Sequence, residues 1–147
     1  NRLIHRHHHH PPHPLHHQRH RQRLWTLFSQ RFPNANDFFA EYFVLNYCPL
    51  AFFDVARNVT PDKLSKAEST PLYAACDAHL RACVDALKPD WVIGIGKFAE
   101  TQAKTALNKS HPNVKIGTVL HPSPASPMAN RGWAPQAAAQ LAALGIW

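Results

Sequence analysis

The chain has 147 residues, of which 45% are hydrophobic, and it carries a formal net charge of +7. This length supports one domain with a modest core, and no apolar run suggests a membrane span or a signal peptide. The three cysteines, Cys48, Cys76 and Cys83, supply neither an even disulfide framework nor a Cys-x-x-Cys metal knuckle. The composition therefore favours a reducing, intracellular compartment and excludes a disulfide-stapled secreted domain.

The positive charge is concentrated at the start of the chain. Residues 1–31 contain six arginines and no acidic residue, whereas the rest of the chain has ten basic and nine acidic residues. Any attraction of the folded part to DNA must therefore come from the placement of a few cations, not from bulk charge. The candidate cations are Lys97, Lys104, Lys109, Lys115 and Arg131.

Residues 1–22 form a low-complexity head that is rich in His, Arg and Pro. The head has too few apolar residues to build a core, so we expect it to be disordered or not native coding sequence, and residues 23–147 to form the folded domain. Its imidazoles leave a histidine-rich metal-binding protein as one alternative, although no ordered spacing defines a metal site. Because the chain starts with Asn1, we expect it to begin inside a longer reading frame.

The first half of the remaining chain is predicted to contain two helical pieces and one strand. Apolar residues at helical spacing predict a helix over 21–32, and Asn36-Asp37 is typical of the start of a second, short helix. An apolar run over 43–50 predicts a strand that stops at a proline. The segment 58–62 is typical of a turn or a helix start.

The second half alternates between helices and strands. The predicted elements are a helix from Thr70-Pro71 to Lys88, a strand over Trp91–Ile95, a helix over Lys97–Asn108, a strand over Val114–Leu120 and a helix over Trp133–Leu144. Such alternation predicts an α/β fold in which a parallel sheet is flanked by helices.

Two polar side chains come at the ends of predicted strands, where α/β proteins bind their ligands. Asn46 offers an amide acceptor and two amide donors, which suit the edge of a flat heterocycle, although it could equally cap the turn at Pro49. His121 follows the strand over 114–120 and precedes a proline-rich loop. It could act in catalysis, or it could be a structural or solvated histidine.

The turn Gly94-x-Gly96-x-x-Ala99 loosely matches a dinucleotide-binding fingerprint. The acidic residue that should follow about twenty positions later is absent, so we expect no nucleotide cofactor. The glycines instead allow a tight strand-to-helix turn, which leaves helix-start amides and Lys97 available to hold a DNA phosphate.

Several motifs together resemble the single-strand-selective monofunctional class of uracil-DNA glycosylases. They are Leu45-Asn46-Tyr47-Cys48-Pro49-Leu50, His121-Pro122-Ser123-Pro124 and Ala129-Asn130-Arg131-Gly132-Trp133, within a resemblance that covers about Arg23–Trp147. The resemblance implies a three-layer α/β fold without cofactor or metal. It also implies a monomeric, nuclear base-excision repair enzyme, which flips uracil or a related damaged pyrimidine out of single- or double-stranded DNA and hydrolyses its N-glycosidic bond.

The resemblance also implies roles for individual residues. His121 matches the family histidine that donates to the pyrimidine oxygen of the leaving base, and Asn46 matches the asparagine that reads the uracil edge. The implied DNA contacts are Lys97, Ser123, Pro124, Ala125, Ser126, Asn130 and Arg131. Some members have Arg-Asn where this chain has Ala125-Ser126, which weakens the expectation that the loop acts as a wedge in the duplex.

The chain lacks the family's Gly-Met-Asn-Pro-Gly motif, whose asparagine orients the attacking water, and the aromatic residue that stacks on uracil. We therefore expect a carboxyl-terminal half without the family's amino-terminal strand, which hydrolyses uracil poorly on its own. A catalytically inactive DNA-binding remnant is the alternative from another class of function.

Overall fold

A computed structural model describes residues 15–47, 52–53, 58–59 and 65–147, with side chains described for 21–47 and 65–147. In chain order, the elements are α1 (Leu15–Arg31), α2 (Ala35–Glu41), β1 (Phe52–Phe53), β2 (Asn58–Val59), α3 (Lys66–Leu87), β3 (Trp91–Ile95), α4 (Lys97–Leu107), β4 (Lys115–Val119) and α5 (Trp133–Ala143), with a short 3₁₀ helix at Ala129–Arg131 before α5. Within these ranges, no helix is both long and apolar enough to cross a membrane.

The centre of the fold is a parallel pair of strands joined by a helix. The register of β3 and β4 runs from Trp91 opposite Lys115 to Ile95 opposite Val119. Val92 and its partner Ile116 pack against a core cluster formed by α3 and α4. The opposite face of the sheet, around Gly117, lies against Leu144 after α5. Helices therefore cover both faces of the sheet, and the α/β architecture predicted from the sequence is confirmed.

Each face of the sheet has its own core. The first cluster contains Leu80, Val84, Ala103, Ala106 and Leu107 from α3 and α4. The second contains Leu27 of α1, Ala129 of the 3₁₀ helix, and Trp133 and Ala137 of α5. Removal of such apolar surface from water is the main stabilising term at both faces.

Gly94 allows α4 to fold back tightly against β3. A Cβ atom at this position would lie 2.4 Å from the backbone nitrogen of Glu100 and 2.8 Å from its Cα. Backbone atoms of a helix cannot yield to such a contact, so only glycine fits here. This close approach brings the start of α4 to the carboxyl end of the sheet.

Five predicted elements are confirmed: β3 has its predicted bounds, and α2, α4, β4 and α5 show small changes at their ends. The strand predicted over 43–50 is wrong in its described part, because residues 43–46 are in no strand ladder. An apolar run forms a strand only where a neighbouring strand accepts its hydrogen bonds. Here Leu45 and Tyr47 instead pack on the core cluster of α3 and α4, and residues 48–50 lie outside the described residues.

Asn58 and Val59, at the start of the segment predicted as a turn or a helix start, pair antiparallel with Phe52–Phe53. The turn or helix start over the rest of this segment stays a prediction. Residues 60–62 lie outside the described residues. The helix α3 begins at Lys66 and not at Thr70-Pro71, since the side chain of Ser65 accepts a hydrogen bond from the Glu68 N–H and caps the helix.

The helix α1 begins at Leu15, six residues before the predicted start at residue 21. The part of the histidine-rich head at residues 1–14 lies outside the described residues. Its predicted disorder and the metal-binding alternative therefore stay predictions.

Leu107 offers a direct test of the core on the α3–α4 side. Its side chain is 0% exposed, whereas Leu87 at the end of α3 is 50% exposed. We expect Leu107→Ala to lower the free energy of unfolding by about 2–5 kcal/mol, because it removes buried methyl groups and leaves a cavity. Leu87→Ala is the matched control and should lower the free energy of unfolding much less. Urea unfolding followed by tryptophan fluorescence measures both, and equal losses would contradict this core assignment.

Candidate base-binding and leaving-group site

His121 lies at the carboxyl end of the parallel sheet, as predicted. It comes two residues after β4, and Gly96 comes directly after β3. The Gly96 N–H donates a hydrogen bond to the carbonyl oxygen of Val119, with 2.8 Å between nitrogen and oxygen. This bond extends the strand pairing past β3 and holds together the two segments that form the site.

The imidazole of His121 packs directly on Gly96. A Cβ atom at Gly96 would lie 3.1 Å from Cβ of His121 and 3.2 Å from its Cδ2. The φ angle of Gly96 is +92°, a conformation that a residue with a side chain rarely adopts. Glycine at this position therefore both permits the turn into α4 and leaves room for the histidine ring.

The surroundings of His121 select its neutral form and one tautomer. The ring is half-buried, and this desolvation lowers the pKa of His121 below its ordinary value. The backbone N–H of Ser123 donates to Nδ1 of the ring at 3.0 Å. A nitrogen that accepts this bond carries no hydrogen, so the proton of the neutral imidazole is on Nε2. The ring is thus a neutral Nε2–H donor.

The loop after His121 is fixed by its own hydrogen bonds. Ser123 accepts through its side chain from the Ala125 N–H (3.1 Å) and through its carbonyl from the Ser126 N–H (2.9 Å). The side chain of Asn130 donates to the carbonyl oxygen of Pro124 at 2.7 Å. These bonds shape the loop from within and leave Ala125 exposed at its surface.

The helix α5 fixes the residue that precedes His121. Trp133, which is 3% exposed, donates from Nε1 to the carbonyl oxygen of Leu120 at 2.5 Å. The Leu120 N–H donates to the side chain of Gln140 at 2.8 Å. Leu120 thus continues beyond β4 with both of its backbone polar groups satisfied by α5.

Asn46 is exposed, and its neighbour Tyr47 is anchored. The Tyr47 hydroxyl bonds to the Asp77 carboxylate and lies 3.3 Å from the side-chain oxygen of Gln102. The ring centroids of Tyr47 and Phe98 are 6.2 Å apart. Because Phe98 follows Gly96 by two residues, the segments of Asn46 and His121 both adjoin the start of α4. No local sequence pattern predicts the anchoring role of Tyr47 and Asp77.

The two cations among the DNA contacts that the resemblance implies are both exposed. Lys97 is the first residue of α4, and Arg131 ends the 3₁₀ helix after the His121 loop. Exposed cations at a helix start and after a loop are suited to phosphate contacts. Among the described residues, no group of three or more His, Cys, Asp or Glu side chains is arranged to hold a metal ion.

Arg23 has no role that the sequence predicts, although its side chain contacts this loop. One guanidinium nitrogen donates to the carbonyl oxygen of Pro122 at 2.8 Å, and the other donates to the side chain of Asn130 at 3.1 Å. The partners lie 99 and 107 residues away along the chain, so no local pattern could have found them.

The lowered pKa of His121 predicts a pH dependence of stability. Between the folded pKa and the ordinary value of 6.5, the unfolded chain binds more protons at this position than the folded chain. The contribution of neutral His121 is therefore complete above pH 6.5 and is lost as the pH falls through the folded pKa. We expect urea unfolding to show a larger loss of stability on acidification for the parent than for His121→Gln. His79→Gln, on the exposed surface of α3, controls for removal of an imidazole, and identical pH profiles for the parent and His121→Gln would refute the assignment.

The chain is similar to three mammalian proteins named single-strand selective monofunctional uracil-DNA glycosylase. It is 38% identical over 125 residues to the protein of Bos taurus, 39% identical to that of Rattus norvegicus and 38% identical to that of Mus musculus. Each match covers 84% of this chain. The chain spans about half the length of the curated relatives it matches, because each match covers 45–46% of the relative. No protein-family model matches the chain. The resemblance stated from the motifs is thus confirmed, and the chain is related by sequence to the carboxyl-terminal portion of the single-strand selective monofunctional uracil-DNA glycosylases.

Proposed function

We propose that this chain supplies the base-reading and leaving-group side of a DNA glycosylase that excises uracil and related damaged pyrimidines. The observation that carries the proposal is the hydrogen bond from the Ser123 N–H to Nδ1 of His121 at the carboxyl end of β4, which leaves the ring proton on Nε2. The names of the mammalian relatives support uracil in DNA as the substrate. The proposed setting is base-excision repair in the nucleus, with the protein acting as a monomer.

The barrier to this reaction is charge separation. As the N-glycosidic bond breaks, its electron pair goes to the base and the sugar becomes cationic. Water then adds its hydroxyl group to the sugar, and the proton that it loses neutralises the released base anion. A donor aimed at the pyrimidine oxygen stabilises the departing anion, and one such donor is worth about a hundredfold in rate. We assign this donor to Nε2 of His121, because a neutral imidazole needs no prior protonation to donate.

Asn46 is proposed to select the base. Its amide oxygen can accept the N3 hydrogen of uracil while its amide nitrogen donates to O4. Cytosine presents the reverse pattern at these two positions, so it would leave buried polar groups unpaired, and that mismatch is costly. The bonds of Tyr47 to α3 and α4 support this role because they fix the residue next to Asn46.

The loop from Ser123 to Asn130 is proposed to contact the DNA from which the base has been flipped. Its internal hydrogen bonds support this role, since a loop that is already ordered loses little entropy on binding. Lys97 and Arg131 are proposed to hold phosphates at either side of the site. Both single- and double-stranded DNA fit this arrangement, because the contacts are to the flipped base and the backbone.

Release of free uracil from a single-stranded oligonucleotide tests the proposed function. With enzyme in excess, we expect slow but measurable release by the parent, lower by about a hundredfold in His121→Ala, where the donor is absent. Asn46→Ala should also lower release and should weaken the preference for uracil over cytosine. His79→Ala and Asn113→Ala, two exposed residues away from the site, are the matched controls. A folded parent that binds the oligonucleotide without releasing uracil would point to an inactive DNA-binding remnant.

The salt dependence of binding tests the role of Lys97. Each lysine that contacts a phosphate releases counterions, so Lys97→Gln should reduce the slope of log affinity against log salt concentration by about one unit. Lys66→Gln, at the exposed start of α3, removes the same charge elsewhere and should leave that slope nearly unchanged. Fluorescence anisotropy with a labelled uracil oligonucleotide measures both slopes. An equal effect of the two variants would show that Lys97 acts only through the overall charge.

A further inference from the structure

Arg23 of α1 connects the helix layer to the loop that follows His121. Its guanidinium donates to the carbonyl oxygen of Pro122 at 2.8 Å and to the side-chain oxygen of Asn130 at 3.1 Å. A guanidinium is planar and presents its donors in a fixed fork, so both bonds hold at once only in a narrow range of loop positions. One side chain thus fixes both ends of the loop.

The peptide group between Pro122 and Ser123 joins Arg23 to His121. Its carbonyl oxygen accepts from Arg23, and its N–H donates to Nδ1 of His121 at 3.0 Å. Because a peptide group is planar, a bond that fixes the carbonyl also fixes the direction of the N–H. The side chain of Pro122 is fully buried, which further restricts the position of this group.

The charge of Arg23 also strengthens the hydrogen bond from the Ser123 N–H to Nδ1 of His121. A hydrogen bond from a charged donor is stronger than one from a neutral donor, and it polarises the peptide group that accepts it. A polarised peptide is a better N–H donor to Nδ1. Protonation of Nδ1 would break this bond, so the interaction favours the neutral ring with its proton on Nε2.

We propose that Arg23 is a positioning residue, which acts through the Pro122–Ser123 peptide to hold His121 in its orientation and in its Nε2–H tautomer. The effect of Arg23 on catalysis rests on the proposed function, whereas its effect on the tautomer is a property of the protein alone. The two parts can therefore be tested separately.

The first test is direct observation of the His121 ring by NMR on the chain labelled with ¹⁵N-histidine. Comparison of the parent with His121→Ala assigns the His121 signals, and the two ring nitrogen shifts report the tautomer. We expect the Nε2–H tautomer in the parent and a mixture of tautomers in Arg23→Met. An Nδ1–H tautomer in the parent, or an unchanged tautomer in Arg23→Met, would overturn the proposal. If circular dichroism shows that Arg23→Met does not fold, Arg23→Lys replaces it, because a lysine can make only one of the two bonds well.

The second test measures uracil release by the same variants. We expect Arg23→Met to lower kcat by about ten- to a hundredfold through misplacement of the donor, and to change KM no more than Arg21→Met does. Arg21 is exposed on the same helix and controls for the lost charge. Arg23→Lys should recover part of the loss. In the His121→Ala background, Arg23→Met should not lower kcat any further.

Three kinetic results would overturn the catalytic part of the proposal. Arg23→Met could raise KM without lowering kcat, or it could lower kcat no more than Arg21→Met does. It could also lower kcat by the same factor in the parent and in the His121→Ala background. A parent that releases no uracil while Arg23→Met still changes the tautomer would refute the proposed function and leave the positioning role of Arg23 standing. Failure of one proposal is therefore distinguishable from failure of the other.

Discussion

The parallel pairing of β3 with β4 is the constraint on which the rest of the described structure depends. It places Gly96 beside Val119, and this contact fixes where α4 starts and where the chain leaves β4. The pairing requires α4 to turn back at once against β3, and only a glycine at position 94 leaves room for the backbone of the helix. The location of His121 follows directly, because it comes two residues beyond the end of β4.

The chemistry of the site depends on polar contacts that reach the ring from outside the strands. Desolvation lowers the pKa of His121 and so favours its neutral form, and the Ser123 N–H determines which ring nitrogen holds the remaining proton. The bond from Trp133 to Leu120 and the bonds from Arg23 to the loop connect this environment to α5 and α1. The layer of helices on this side of the sheet therefore does more than cover apolar surface, since it also sets the geometry of the proposed donor.

Much of the central architecture could be predicted from the sequence, because local signals define it. The strands β3 and β4 are short apolar runs, and Gly94 and Gly96 mark the turn between β3 and α4. The strand predicted at 43–50 failed in its described part because a strand depends on a partner that no local pattern reveals. The start of α3 was misplaced because Thr70-Pro71 gives a stronger start signal than the true cap at Ser65. Arg23 was missed because both of its partners are distant in sequence.

A crystal structure of this chain with a single-stranded oligonucleotide that carries an uncleavable uracil nucleotide most directly tests the proposed roles of His121 and Asn46. We expect the flipped uracil to lie at the carboxyl end of β4, with a pyrimidine oxygen within hydrogen-bond distance of Nε2 of His121 and its N3–O4 edge on the amide of Asn46. A uracil bound at the opposite end of the sheet, in the groove between Trp91 and His111, would contradict this expectation.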